Sequence, residues 1–335
     1  MLKHQVITNA HLLRDLTSDY DIFESSEFRV LHRQMLKDLP EREEMPLPEM
    51  NASEATRESV VAMSRDFTVP MVVRGALTDA TSVTDWTKKS FWMDSYADET
   101  VVTTSASRSE IRTLREFFEP GSGLYVAGAT AIFERHPELK AMIDNDVTRM
   151  MMPDGPEVGA FFYQMFMGWK DQGTTVHCAI GTNIFRQIAG QKKWYFLPPS
   201  QTPYVYPKMY TNGYSATSKT VQSTRNGVSA PWWNKLERYT VTLNPGDILV
   251  NPAWWWHCVE NFGDQDQLVI GCPTRFDSPD RAMVIDEFKT LIATWKALTT
   301  KRKFSNKSTG LNAALAFEES LVQNREETYQ MLALK

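Results

Sequence analysis

His177-Cys178-Ala179, followed eighty positions later by His257, carries the strongest metal-binding signal in this chain. On an extended strand the side chains alternate faces, so residues 177 and 179 share one face and residue 178 takes the other. A His-x-Asp or His-x-Glu pair on such a strand, completed by a distant histidine, is the 2-His-1-carboxylate set that binds non-haem Fe(II). Here the carboxylate position is Ala179, whose methyl group ligates nothing. Two histidines would then hold a metal with one more open coordination position than the usual set leaves.

Other donors fit less well. Cys178 and Cys258 each follow one of the histidines, and two nitrogens with two sulfurs would suit zinc. Adjacent strand residues face opposite sides, however, so both cysteines are expected as small buried thiols on the outer side of a barrel wall. Glu260 has the wrong parity relative to His257 on a continuous strand. Asp247, in Pro245-Gly246-Asp247, reads as a turn residue.

The elements that must position these residues are short strands broken by Pro and Gly. Residues 70–75, 161–168, 176–179, 241–243, 247–251, 257–261 and 267–271 read as strands, and 185–189 with 192–197 as a hairpin around Gly190-Gln191. Thr113-Leu114-Arg115-Glu116 is a capping box opening a short helix through Phe118. This pattern predicts an all-β core, a double-stranded β-helix or jelly-roll, with flanking N- and C-terminal α-helices. Residues 1–60 form an N-terminal arm, with helical periodicity at Phe28, Leu31, Met35 and Leu36 and a Pro- and Glu-rich linker over 39–50. Residues 61–277 form the barrel domain. In the C-terminal segment, 278–335, Ser278-Pro279 opens a helix with Val284, Phe288, Leu291, Ile292 and Trp295 on one face, and a second helix spans about 311–332. Lys301-Arg302-Lys303 lies between them and reads as a solvated turn.

Two blocks extend the pattern beyond the histidines. One runs from Gly173-Thr174-Thr175-Val176-His177-Cys178-Ala179 through Gly190-Gln191-Lys192-Lys193-Trp194 to Pro199. The other is Asn244-Pro245-Gly246-Asp247-Ile248-Leu249-Val250-Asn251-Pro252-Ala253-Trp254-Trp255-Trp256-His257. Together they resemble the Jumonji-C/cupin-8 family of Fe(II)- and 2-oxoglutarate-dependent oxygenases, in its asparaginyl-hydroxylase-like branch, over roughly residues 65–275. The resemblance implies that His177 and His257 bind Fe(II). It also implies that Thr174, three before the first histidine, Asn183, six after it, and Lys192, fifteen after it, contact 2-oxoglutarate. Tyr125 is the candidate for a tyrosine that joins them, and Arg275 the fallback if Lys192 points elsewhere. Helices after the barrel form a dimer interface in that branch, which implies a homodimer through the C-terminal helices.

The departure at Ala179 is similar to the His-x-Ala variant of non-haem iron halogenases. Loss of the carboxylate removes one negative charge and one ligand, and chloride restores both. A substrate radical, formed at the expense of O2 and 2-oxoglutarate, can then recombine with chloride instead of hydroxide. The expected activity is therefore chlorination of an unactivated carbon, with Ala179 opening the halide position. The alternatives are a hydroxylase that lacks the usual carboxylate and a non-catalytic binding protein.

Composition sets the remaining expectations. The 335 residues are 42% hydrophobic and 11% aromatic, enough for a substantial core. A net charge of −5 and a pI near 5.8 argue against nonspecific nucleic-acid binding. Three cysteines make no disulfide framework, which fits a reducing compartment. The start, Met1-Leu2-Lys3-His4-Gln5-Val6, has no apolar signal region, and no stretch approaches a transmembrane helix, so a cytoplasmic protein with no membrane partner is expected. Residues 199–238, with Tyr204, Tyr206, Tyr210, Tyr214, Trp232 and Trp233 in a Ser/Thr-rich stretch, read as a lid or as packing over the barrel mouth. Trp255 shares the parity of His257 and faces the interior, whereas Trp254 and Trp256 face outward. Without a charged docking patch, the substrate is expected to be a small molecule or a carrier-tethered group.

Overall fold

In the computed structural model of the chain, the described strands form two large facing sheets and a separate two-stranded ribbon, Gln222–Thr224 with Gly227–Ser229. The structure describes residues 26–37, 39–105, 108–152, 161–179, 181–205, 207–209, 215–218, 222–224, 227–229, 232–264 and 266–276. In chain order the strands begin with β1 (Met45–Pro46), β2 (Glu49–Asn51), β3 (Met71–Arg74), β4 (Thr100–Ser105), β5 (Arg108–Thr113) and β6 (Tyr125–Ala129). They continue with β7 (Phe161–Tyr163), β8 (Met165–Gly168), β9 (Gly173–Ala179), β10 (Thr182–Ala189), β11 (Gln191–Leu197), β12 (Pro207–Met209) and β13 (Ser215–Ser218). The last are β14 (Gln222–Thr224), β15 (Gly227–Ser229), β16 (Tyr239–Leu243), β17 (Ile248–Asn251), β18 (Trp256–Phe262) and β19 (Val269–Phe276).

The first sheet has the order β1-β16-β11-β18-β9-β13-β12, and the second β2-β3-β17-β10-β19-β8-β6-β4-β5, with β7 also on β19. The all-β jelly-roll core expected from the sequence is therefore present. Between the sheets lies an apolar layer drawn from both, including Val72, Phe185 and Leu249 from one and Trp194, Phe196, Val259 and Trp255 from the other. The outer face of the second sheet is covered by short helices carrying Trp86, Trp92, Phe133 and Ile143. The outer face of the first packs Val176, Cys178, Trp254, Trp256 and Cys258 against Leu36 of the helix Ser26–Lys37. With both faces covered, β10 is buried along its whole length.

The alternation rule holds around the metal-ligand candidates. Trp255 is interior while Trp254 and Trp256 are exterior, and both cysteines beside the histidines lie outside the barrel wall as small buried thiols. Thr113 caps the helix Leu114–Phe117 through the expected capping box.

Three expectations are corrected by the pairing. Strands β10 and β11 do not form a hairpin, since they belong to different sheets. The chain crosses between sheets at Gly190, which adopts φ +61° where an added Cβ would lie 2.8 Å from the Leu268 carbonyl oxygen. A two-sheet sandwich buries consecutive strands by sending them to opposite layers. The linker over 39–50 also contributes structure: β1 pairs in parallel with β16 and β2 with β3, so part of the arm caps the sheet edges. In the 199–238 segment, β12 and β13 extend the first sheet past β9, and Tyr204, Trp232 and Trp233 pack on its outer cluster. Tyr206, Tyr210 and Tyr214 lie outside the described residues, as does the whole of 278–335 with its expected helices and dimer interface. Among the described residues no helix is long and apolar enough to cross a membrane.

Candidate metal and cosubstrate site

His177 on β9 and His257 on β18 are direct cross-strand partners, with ring centroids 4.2 Å apart. Each ring is fixed by its own backbone. His177 Nδ1 lies 2.8 Å from the Thr175 carbonyl oxygen, and His257 Nδ1 lies 2.8 Å from that of Trp255. A carbonyl only accepts, so Nδ1 carries the hydrogen and Nε2 keeps its lone pair, the tautomer a metal ligand needs. Burial holds both rings neutral: His177 is pushed down to about 4 and His257 well below the ordinary histidine value, with Arg275 contributing in each case.

Ala179 is on the same inward face of β9, two residues after His177, and its carbonyl accepts the Trp254 backbone N–H at 2.7 Å. Trp254 adopts φ +63°, a costly conformation for a tryptophan, and so ties the turn before His257 to the strand end at Ala179. No group of three His, Cys, Asp or Glu side chains that could hold a metal exists among the described residues. The Asp247 carboxylate is occupied by Arg74 at 2.7 Å and by the backbone N–H groups of Gly75 and Asn244. Burial raises the Cys178 and Cys258 thiols, which face the outer cluster. No side chain among them replaces the missing carboxylate.

A pocket opens beside the histidines, lined by Tyr125, Thr174, Asn183, Lys192 and Arg275 as well as both rings. All the candidate cosubstrate residues therefore come together. Lys192 is 1% exposed, and its Nζ donates to Asn261 Oδ1 at 2.6 Å and lies 5.7 Å from the Tyr125 ring centre. No carboxylate pairs with it among the described residues, and burial pushes its pKa down to about 7. Lys193 faces the other way, over the Tyr195 ring. Burial also raises the Tyr125 phenol, so it remains a protonated donor.

Thr174 reaches the pocket for a reason that strand alternation alone does not give. Between the pairs His257↔His177 and Val259↔Thr174 the register shifts, so β9 carries one extra residue and Thr174 turns to the face of His177. Asn183 is 2% exposed, and its Oδ1 has no hydrogen-bond partner among the described residues. A buried lysine without a counter-anion and an amide oxygen without a donor are what a dicarboxylate cosubstrate and a metal with its ligands would satisfy. The residues present fit both groups.

Four residues were missed or underweighted in the sequence. Asn261 positions Lys192 and is itself held by the Trp169 carbonyl at 2.8 Å. Ser215 is the cross-strand partner of Ala179. Asn251 lies against His257. Arg275, weighed only as a fallback, is the cross-strand partner of Asn183 and lines the pocket together with Lys192. The one available signal was polarity within an apolar strand, as at Asn251 after Ile248-Leu249-Val250. Outside the inner pocket a wider cleft is lined by Thr104, Ser105, Gln172, Thr175, Ser215 and Thr217, and His177 lines both.

Residues 111–271 match the family of cupin-like domains. The HSPB1-associated protein 1 homolog of Danio rerio is 29% identical over 173 residues, which cover 51% of this chain and 37% of that protein. HSPB1-associated protein 1 of Homo sapiens is 34% identical over 82 residues, 24% of this chain and 17% of that one. The arginine-specific demethylase JMJ20 of Arabidopsis thaliana is 29% identical over 106 residues, 30% of this chain and 21% of that one. The chain thus spans 37% or less of the length of these relatives. Together the matches support the cupin/Jumonji-C superfamily, which includes Fe(II)- and 2-oxoglutarate-dependent oxygenases.

Proposed function

We propose that this chain is an Fe(II)- and 2-oxoglutarate-dependent halogenase that chlorinates an unactivated carbon. The observation that carries the reading is the inward face of β9 after His177: Ala179 stands where a carboxylate would complete the ligand set, and no described acid takes its place. Iron with 2-oxoglutarate and O2 would supply the oxidising power to remove a hydrogen atom from the substrate. His177 and His257 hold the metal through Nε2. Lys192, steadied by Asn261, pairs with the distal carboxylate of 2-oxoglutarate, and Thr174, Tyr125 and Asn183 orient the cosubstrate. Ala179 leaves room and a charge deficit of one for chloride.

The outer cleft beside His177 supports a substrate site there. Its described lining contains no Asp, Glu, Lys or Arg, which favours an uncharged, hydrogen-bonding small molecule or the neutral arm of a carrier-tethered group.

Anaerobic titration with Fe(II) and 2-oxoglutarate, followed by visible absorption with and without chloride, tests the reading. A charge-transfer band that shifts saturably with chloride is the expected result. A band indifferent to chloride overturns the halogenase in favour of a hydroxylase, and no cosubstrate binding at all in favour of a binding protein.

A further inference from the structure

Asn251 ends the strand Ile248–Asn251, whose other three residues are fully buried hydrocarbons. The amide is itself 2% exposed, and burying one without partners is costly. Its cross-strand partner on β10 is Asn183, so the two side chains share the interior face. Asn251 Oδ1 has no hydrogen-bond partner among the described residues.

The other end of the amide is not satisfied by the imidazole beside it. Nδ2 is 3.2 Å from His257 Nε2 and 3.5 Å from His257 Nδ1. A donor lying along the Nε2 lone pair would be far closer to Nε2 than to Nδ1, so near-equal distances place the amide alongside the ring. The lone pair is left free for a metal. Nδ1 cannot accept either, because its hydrogen is already given to the Trp255 carbonyl. The NH2 group therefore lies over the His257 ring, 3.2 Å from the nitrogen that would bind a metal and with no aligned lone pair to accept from it, beside a ligand set short of one anion.

We propose that Asn251 is the anion-binding residue of this centre, donating Nδ2–H to a halide held at the metal beside His257. This rests on the halogenase reading above and adds the group that stabilises the halide. An amide nitrogen suits the task better than its oxygen, since an oxygen turned inward would repel the anion. Asn251 acts as a positioning residue for chloride and leaves metal and 2-oxoglutarate to their own ligands.

The test uses full-length protein loaded with Co(II) and 2-oxoglutarate in chloride-free buffer, titrated with sodium chloride and, separately, sodium azide. Visible absorption reports the anion, and calorimetry reports Co(II) and 2-oxoglutarate affinity. Wild type should respond saturably. Asn251→Ala should raise the anion midpoint by about tenfold or more, as loss of a charge-assisted hydrogen bond requires, with metal and cosubstrate affinity unchanged. The isosteric Asn251→Asp, which presents negative oxygen instead of N–H, should abolish the response. Equal midpoints in wild type and Asn251→Ala overturn this inference alone, as does loss of Co(II) itself in Asn251→Ala. A wild type that does not respond to chloride, whatever azide does, overturns the halogenase reading and this inference with it.

Discussion

His177 and His257 are directly opposed residues of β9 and β18, and each ring is pinned by a bond from Nδ1 to the carbonyl two residues before it. The matched pins aim both Nε2 atoms into one pocket without help from any third ligand. Replacing either histidine by alanine should abolish stoichiometric binding of Fe(II) or Co(II), measured as metal retained after desalting. Stoichiometric metal in either variant would place the ligands elsewhere.

Lys192 and Lys193 are neighbours with opposite fates, one in the pocket and one over the Tyr195 ring outside it. Lys192→Ala should weaken 2-oxoglutarate binding by about 2 kcal/mol or more, as truncation of a buried charge partner does. Lys193→Ala should cost less than about 1 kcal/mol. Calorimetric titration checks both, and equal effects would put the strand parity in error.

The same lysine predicts a pH dependence. Burial lowers Lys192 from 10.5 to about 7, so without ligand it is charged below that value and neutral above it. Only the charged form attracts the dicarboxylate. Affinity for 2-oxoglutarate should therefore be highest below pH 7 and fall by about tenfold per unit as pH rises beyond it, until the pKa of the complex is reached. The slope should vanish in Lys192→Ala.

Ala179→Asp restores the carboxylate and with it the charge that chloride would supply. The variant should keep iron and lose the spectral response to chloride. With substrate it should give hydroxylated product or uncoupled succinate, since a carbon placed for halogen transfer is poorly aimed for hydroxyl transfer. If wild type with its substrate, iron, O2 and ample chloride yields only hydroxylated product, Ala179 merely vacates a position for water.

Gly173 allows β9 to approach β18 where the register shifts. A Cβ there would lie 1.8 Å from the Val259 carbonyl oxygen, a backbone atom that cannot turn aside. Gly173→Ala should destabilise the protein by about 1–3 kcal/mol, read as a lowered melting temperature. Metal affinity should fall with it, because the strands forced apart carry His177 and His257. An unchanged melting temperature would mean the strands part there at no cost.

Much of the site is readable from the sequence because strand alternation is local. The period of two places His177 and Ala179 inward and Cys178 outward, separates Lys192 from Lys193, and turns Trp255 away from its neighbours on either side. Asp247 is legible as a turn residue from Pro245-Gly246 alone. Alternation fails at Thr174, where the register shift reverses the face that counting from His177 would assign. It is silent on Gly190, where a turn that looks like a hairpin is instead a crossing between layers.

The sequence by itself determined which chemical groups this protein brings to a metal and that residue 179 offers none, because side-chain identity and short spacing are one-dimensional facts. Only the tertiary structure decided which residues from distant parts of the chain join these groups. Ser215 faces Ala179, Asn251 faces Asn183, and Asn261 braces Lys192 across pairings that join residues 36, 68 and 69 positions apart. Such neighbours are set by strand register, where a slip of one residue turns every side chain to the other face, and register is fixed by the packing of both sheets together.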